Sequence, residues 1–304
     1  MRAAVLPATG IGDALLMMIA SHQLQAQGYE VTTFHAILPE LHTWFPYHRL
    51  TPSSSAESLS DFDLIVAEND NSPRIATLRT TLRDKLAIFY PTYLAHKHGP
   101  LGSLDQVFDP QLPMAENIAR AAANMLQCAY SKANGIQAPN HLMHRAHRNT
   151  IAIHPTSSQL DKNWLPKRYV TLAKALRTQG FSPFFCTSPQ ERSSWIWLED
   201  EGFDVPLFPS LTALAERIYQ AGFMVGNDSV TGHLASNLSI PSLIIANDAR
   251  RMRLWRPGWL EGKVVTPADW IPNLKPLRLR EAHWQKWISV RKVLTAFDEL
   301  TRAF

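Results

Sequence analysis

The chain has 304 residues, of which 45% are hydrophobic and 18% are charged. This composition excludes a disordered tail, a disulfide-stapled miniprotein and a collagen-like repeat, and the length corresponds to two ordinary domains. Lys and Arg number 30 against 26 Asp and Glu, and the resulting net charge of +4 is too mild for a dedicated nucleic-acid binder. The two cysteines, Cys128 and Cys186, lie far apart and indicate neither a disulfide framework nor a metal site.

The first residues imitate a secretory signal, because Arg2 precedes an apolar stretch at 14–20. Asp13 interrupts the apolar character of this segment, and no window approaches the ~20 apolar residues needed to cross a bilayer. We therefore expect a cytoplasmic protein.

Short apolar runs alternate with longer helical patterns along the whole chain, which predicts an α/β fold with parallel sheets covered by helices. In the first part, strands are predicted at 2–7, 31–34, 64–67 and 86–90, with helices around 15–24 and at 113–129. Gly28 is a suitable stop for the first of these helices. This part, residues 1–140, is predicted to form one domain.

Residues 141–149 lack a clean period and are predicted to be a linker. His141, His144 and His147 lie three residues apart there, but no carboxylate is nearby, and a solvated linker explains them better than a metal site. A second domain is expected over 150–280. Its predicted elements are strands at 150–154, 182–187, 223–226 and 242–246 and helices at 166–179, 189–202, 211–221 and 229–238. An amphipathic helix at 281–304 is predicted to cross between the domains.

The charge is unevenly distributed. Residues 1–150 carry a net charge of −1 and the remainder carries +5, with 11 basic and 3 acidic residues between 250 and 292. A phosphate-bearing ligand or an anionic lipid surface accounts for this excess. An ordinary solvated basic face accounts for it equally well.

The first candidate site is the turn Gly10-Ile11-Gly12-Asp13, between a predicted strand and a helix. Paired glycines allow close approach of the backbone to a ligand, and the start of a helix attracts an anion. Leu15 occupies the place of the third glycine of a dinucleotide fingerprint, which argues against a nicotinamide-dependent oxidoreductase. Asp13 is either a helix N-cap, a role that stabilises by about 0.5 to 2 kcal/mol, or a general base. The spacing alone favours the cap.

Two further turns follow strands of the second domain. After His154, the hydroxyls of Thr156 and Ser157 and the charge of Lys162 suit phosphate oxygens. After the strand at 223–226, a helix start at Ser229 offers an anion site toward which His233 can point. The alternative for this turn is an Asp228 cap with a half-buried histidine. Each turn alone is only suggestive.

Together, the turn at 10–13, the segment 154–164 and the segment 228–235 resemble glycosyltransferase family 9, the ADP-heptose:lipopolysaccharide heptosyltransferases. Their order and separations agree over nearly the whole chain. The resemblance implies a GT-B architecture, in which two Rossmann-like domains with parallel sheets face each other across a cleft. The first domain would bind the acceptor and the second the nucleotide-sugar. It also implies an inverting, metal-independent reaction without a cofactor.

The resemblance assigns roles residue by residue. Asp13 matches the base, which reverses the preference for a cap, and Lys162 matches a contact to the donor diphosphate. Beyond the resemblance, we expect Arg250 or Arg251 to join Lys162 in stabilising the departing diphosphate. The positions implied to bind the nucleotide-sugar are Gly10, Gly12, Thr156, Ser157, Lys162, Glu191, Leu211, Asp228, Ser229 and His233. Among these, Glu191 would meet the ribose and Leu211 the adenine. Val230 departs from the family, which normally has Gly there.

The resemblance therefore implies an enzyme that moves a heptose, or a related sugar, from ADP-heptose to a hydroxyl of an inner-core lipopolysaccharide acceptor. The acceptor would be a saccharide or lipid-saccharide, and peripheral contact with the inner face of the inner membrane is one option. A protein O-heptosyltransferase is one alternative. A non-catalytic nucleotide-sugar-binding homologue is another, and Val230 is the feature that favours it. No nucleic-acid partner is expected.

Overall fold

The computed structural model describes residues 1–52, 59–157, 159–268, 270–271, 280 and 283–304. Over these residues the chain forms two compact units, Met1–Pro139 and Asn140–Phe304. Each unit is built on one parallel sheet, of six strands in the first and five in the second. The predicted α/β class is thus confirmed.

The first unit has the strand order β3-β2-β1-β4-β5-β6. Its central strands read as continuous apolar runs because helices cover both faces of a parallel sheet. The strands are β1 Arg2–Leu6, β2 Glu30–Phe34, β3 Arg49–Thr51, β4 Leu64–Glu68, β5 Leu86–Tyr90 and β6 Gln106–Val107. The α-helices are Ile11–Ala26, Pro73–Thr81, Ala95–His98 and Met114–Leu126, and 3₁₀ helices lie at Leu38–Trp44 and Arg83–Lys85.

The second unit has the strand order β11-β10-β9-β7-β8. The strands are β7 His147–His154, β8 Ser182–Phe185, β9 Ala221–Asn227, β10 Ser242–Ile245 and β11 Lys263–Val265. The α-helices are Pro166–Thr178, Pro189–Arg192, Leu211–Gln220, Val230–Asn237, Ala249–Trp255, Trp284–Trp287 and Val290–Ala303, and 3₁₀ helices lie at Leu160–Lys162 and Ile196–Glu199. Because all strands of a unit run the same way, their carboxyl ends share one edge, where open α/β sheets bind ligands.

Three predicted elements differ in the structure. The helix expected at 189–202 is divided into Pro189–Arg192 and Ile196–Glu199, and the irregular backbone at Trp195 lets this side chain and Leu198 both enter the core. The expected linker 141–149 overlaps a strand, since β7 already begins at His147. The short strands β3, β6 and β11 were not predicted, because two or three residues are too few to show a period.

The expected helix at 281–304 is two helices separated at Ile288 and Ser289, and residues 281 and 282 lie outside the described part of the chain. Ser289 begins the second helix, since its Oγ accepts a hydrogen bond from Lys292 N at 3.2 Å. Val293, Phe297 and Leu300 lie on one face of this helix and are buried in the core of the second unit. This terminal segment is therefore part of the second unit's core.

Candidate functional site

The Gly10–Asp13 turn connects β1 to the first helix at the carboxyl edge of the first sheet. The helix begins at Ile11, so Gly10 is the N-cap and Asp13 lies in the first turn with Gly12. The cap alternative for Asp13 is therefore wrong. A side chain at position 10 would collide with Asp13 Oδ2. Glycine at position 10 thus leaves room for the Asp13 carboxylate, which any larger residue there would displace.

The carboxyl group of Glu68 supports this turn through a contact with the backbone that leads into it. Glu68 is the last residue of β4, which pairs with β1, and it is 2% exposed. Its Oε2 accepts a hydrogen bond from Ala8 N at 3.1 Å. Burial raises the pKa of Glu68 well above its ordinary value, and the charges of Asp13 and Asp70 raise it further, whereas the Ala8 hydrogen bond lowers it. The edge thus carries a buried carboxyl with a raised pKa beside the more accessible Asp13.

His35 holds the same turn from the end of β2. Its Nδ1 accepts hydrogen bonds from the backbone amides of Ile37 at 3.2 Å and Leu38 at 3.1 Å. The proton must therefore be on Nε2, which donates to the carbonyl oxygen of Thr9 at 3.1 Å. Burial lowers the pKa of His35. Neither His35 nor Glu68 was predicted from the sequence, although both lie at strand ends. His35 directly follows β2, and Glu68 is the last residue of β4.

In the second unit, Thr156 and Ser157 follow β7 and are both buried. Thr156 Oγ1 donates to Glu191 Oε2 at 3.1 Å, which brings two predicted site residues together. Glu191 also belongs to a capping box, because its Oε2 accepts from Ser188 N at 3.1 Å and from Ser188 Oγ at 2.6 Å. One carboxylate oxygen of Glu191 therefore links the segments that follow β7 and β8.

The start of helix Val230–Asn237 follows β9. Ser229 is its N-cap and makes no side-chain cap bond; its Oγ lies 2.8 Å from Thr231 Oγ1. Asp228 is therefore not the cap, and His233 is buried and only 5% exposed, rather than half-buried. Burial lowers the pKa of His233, although the charge of Asp228 raises it. Within the described part of the chain, His233 Nδ1 has no hydrogen-bond partner.

An arginine after β10 reaches this helix start. Arg251 Nε donates to Asp228 Oδ2 at 3.4 Å, and its guanidinium lies 5.3 Å from the centroid of the Trp255 ring. Arg250 contributes its backbone amide to the N-cap Asp248 at 2.8 Å. Of the two arginines left open by the sequence, Arg251 is thus the one that contacts a predicted site residue.

The remaining predicted residues occupy the same edge of the second sheet. Lys162 ends the 3₁₀ helix Leu160–Lys162, which follows β7. Leu211 is buried at the start of helix Leu211–Gln220. This helix leads into β9, and a helix that precedes a parallel strand starts at the strands' carboxyl edge. The second unit therefore brings hydroxyls, a helix start and two basic side chains to one edge, whereas Gly10, Gly12 and Asp13 belong to the first unit.

The other candidate features carry less chemistry. Among the described residues, no group of three or more His, Cys, Asp or Glu side chains could hold a metal ion. His144 instead lies 5.0 Å from the Tyr219 ring, centroid to centroid. In the same part of the chain, none of the helices combines the length and the apolar character that a membrane crossing requires.

The family model described as glycosyltransferase family 9 (heptosyltransferase) matches residues 92–255, which is more than half of the chain. No curated protein sequence matches this chain.

Several solved structures share the fold. E. coli ADP-heptose lps heptosyltransferase II is 15% identical, with 99% of this chain and 98% of that chain covered and a TM-score of 0.71. E. coli heptosyltransferase WaaC with ADP is 15% identical, with 99% and 98% covered and a TM-score of 0.69. The iron-containing dodecameric glycosyltransferase TibC from enterotoxigenic E. coli H10407 is 13% identical, with 99% and 76% covered and a TM-score of 0.60. At these identities the similarity shows the fold, and that fold is GT-B-like.

Proposed function

The chain belongs to glycosyltransferase family 9, the heptosyltransferases, and on that premise we propose that it transfers a heptose, or a related sugar, from ADP-heptose to a hydroxyl of an inner-core lipopolysaccharide acceptor. The observation that carries the proposal is the polar edge of the second sheet, where Thr156, Ser229 and Arg251 surround the ends of β7, β9 and β10. Hydroxyls, a helix start and a guanidinium are the groups that bind a diphosphate.

The nucleotide-sugar is held by the second unit in this proposal. Ser229 presents the unpaired amides of an eight-residue helix, and Lys162 and Arg251 add positive charge. The WaaC structure with ADP supports adenosine diphosphate as the nucleotide. Glu191, whose Oε2 accepts hydrogen bonds from Ser188 and Thr156, would bind a ribose hydroxyl in this proposal. Leu211 supplies an apolar surface for the base.

The acceptor reacts at the edge of the first sheet. Asp13 takes the proton from the attacking hydroxyl, whose oxygen forms a bond to the anomeric carbon while the bond from that carbon to the diphosphate oxygen breaks. Direct displacement inverts the anomeric configuration. The electron pair of the broken bond leaves on ADP, where Lys162, Arg251 and the Ser229 helix start stabilise the charge in place of a metal ion. Glu68 supports this edge through its Oε2, which accepts the hydrogen bond from Ala8 N.

A protein hydroxyl is the second candidate acceptor, and the fold similarity to TibC is the observation that favours it. The basic residues between 250 and 292 favour the lipid-saccharide, because an inner-core acceptor is anionic and lies at a membrane surface. On the same charge we propose peripheral contact with the inner face of the inner membrane.

The proposal is tested first by thermal shift with ADP, UDP and GDP. A ligand at 100 times its dissociation constant stabilises by about 2.7 kcal/mol, and we expect this only with ADP. Lys162→Ala should reduce the shift, because one of the positive charges on the diphosphate is lost while the other ADP contacts remain. Lys174→Ala is the matched control, because Lys174 pairs with Glu201 at 2.6 Å on the surface of the same unit.

Transfer is then measured as ADP release from ADP-heptose with inner-core saccharide or with acceptor protein. Release with the saccharide supports the principal proposal, and release with the protein alone supports the second candidate. A chain that binds ADP and releases none with either acceptor is a non-catalytic binder. A chain that shows no preference for ADP contradicts the donor assignment.

A further inference from the structure

The short turn that carries Lys162 is weakly stabilised by its own hydrogen bonds. Within this Lys162 turn, residues 159–163, Lys162 N donates to the carbonyl oxygen of Gln159 at 3.0 Å and Asn163 N donates to that of Leu160 at 3.1 Å. A single 3₁₀ turn of this length is not stable in isolation. Its conformation must therefore be set by contacts from elsewhere in the unit.

The first such contact comes from Asn227, the fully buried last residue of β9. Its Oδ1 accepts from Trp164 N at 3.0 Å and from the Tyr169 hydroxyl at 2.8 Å. Its Nδ2 donates to Asn163 Oδ1 at 3.4 Å, and Ser157 Oγ donates to the same oxygen at 2.7 Å. The end of the Lys162 turn is thus tied to the strand that leads to Asp228 and Ser229.

The second contact comes from the terminal segment Trp284–Ile288, more than 120 residues further along the chain. Trp284 is 2% exposed, and its indole Nε1 donates to the carbonyl oxygen of Asp161 at 2.7 Å, inside the Lys162 turn. Trp164 Nε1 donates back to the carbonyl oxygen of Ile288 at 3.1 Å. Arg168 fixes the segment by donating to the carbonyl oxygens of Gln285 at 2.8 Å and Lys286 at 3.1 Å.

We propose that Trp284 and Asn227 are positioning residues that hold the Lys162 turn ready for the donor diphosphate, an inference that rests on the proposed function. Neither residue needs to touch the donor. Their effect is on affinity: a Lys162 ammonium group that is held in place before binding loses less conformational entropy on binding than one on a mobile turn. We call the segment Trp284–Ile288 the strap, because it holds the phosphate-binding turn in place. Affinity for the diphosphate therefore depends on the strap.

The principal variant is Trp284→Phe, which keeps an aromatic ring in the core and removes the indole N–H. Trp197→Phe is its control, since Trp197 Nε1 donates to the carbonyl oxygen of Ser194 at 3.1 Å on the surface of the same unit. Arg168→Met loosens the strap without altering the core and serves as a second variant. Thermal unfolding first establishes that each variant is folded.

Two measurements follow on the full-length protein. Hydrogen exchange should show faster exchange at the Lys162 and Asn163 amides in Trp284→Phe and Arg168→Met than in the wild type. Calorimetry should show ADP affinity reduced by about 3- to 10-fold, the effect of losing one buried hydrogen bond, with adenosine affinity unchanged. In a Lys162→Ala background, Trp284→Phe should cause no further loss of ADP affinity.

An undiminished loss in the Lys162→Ala background, or equal losses for ADP and adenosine, would show that Trp284 acts only through general stability and would overturn the inference. Unchanged exchange at the turn would overturn it as well. Failure of the wild type to bind ADP would instead refute the proposed function, and the exchange data would still decide whether the strap orders the turn.

Discussion

Replacing Glu68 by Gln should stabilise the protein at neutral and alkaline pH. Glu68 is buried beside Asp13 and Asp70, and its pKa is raised well above the ordinary value, first by burial and then by these two charges. Glutamine has nearly the same shape, and its amide oxygen can still accept the hydrogen bond from Ala8 N. The substitution thus removes a proton equilibrium and little else.

The sign and size of the effect follow from linkage. In the unfolded chain Glu68 has its ordinary pKa, whereas in the folded chain its pKa is higher. Between these two values the folded state binds one proton more, so the free energy of unfolding falls by about 1.4 kcal/mol for each pH unit of increase. Below the ordinary pKa both states are protonated and the contribution is fully present. This contribution to the free energy of unfolding is lost as the pH rises through the pKa of Glu68 in the folded state. Glu68→Gln has no carboxyl proton there and cannot show this loss.

The assay is urea unfolding of the wild type and Glu68→Gln from pH 4 to pH 9. We expect the difference in unfolding free energy, variant minus wild type, to grow with pH. Glu201→Gln is the control, because Glu201 is exposed and its hydrogen bond to Lys174 lowers its pKa, so that its small contribution is lost in the opposite direction, as the pH falls. Parallel pH profiles for the wild type and Glu68→Gln would refute the reasoning.

Three further predictions concern both units. Burial and the neighbouring His22 lower the pKa of His48 to about 4 from an ordinary 6.5, so the free energy of unfolding should fall as the pH drops from 6.5 toward 4. His48→Gln should reduce this loss in urea unfolding, and an unchanged loss would contradict the prediction. Asp13→Asn should leave ADP affinity within about twofold and lower the rate of ADP release by at least ~10²-fold, whereas full activity would remove the base assignment. Phe297→Ala should lower the free energy of unfolding by about 3 to 5 kcal/mol because Phe297 is fully buried, and the exposed Phe304→Ala should change it by less than about 0.5 kcal/mol; equal effects would refute the core assignment.

Local sequence was sufficient to predict most of the architecture. Strand β5 was predicted with its observed bounds, because an apolar run of only five residues between polar segments is too short for a helix and typical of a buried strand. The start of helix Val230–Asn237 was predicted to within one residue for a similar reason, since Ser229 follows the apolar strand β9 and precedes a helical pattern. The helix at 189–202 was predicted wrongly, because the need to bury Trp195 overrides a local preference for a continuous helix.

The sequence by itself thus determined the α/β class, the turns that end β1, β7 and β9, and the family to which these turns belong, because such signals lie within a few consecutive residues. Only the tertiary structure decided which side chains support those turns. Glu68 lies 60 residues from Ala8, Asn227 lies 63 from Trp164, and Trp284 lies 123 from Asp161. Each of these contacts depends on strand order and on packing of the chain terminus, and periodicity carries no information about either.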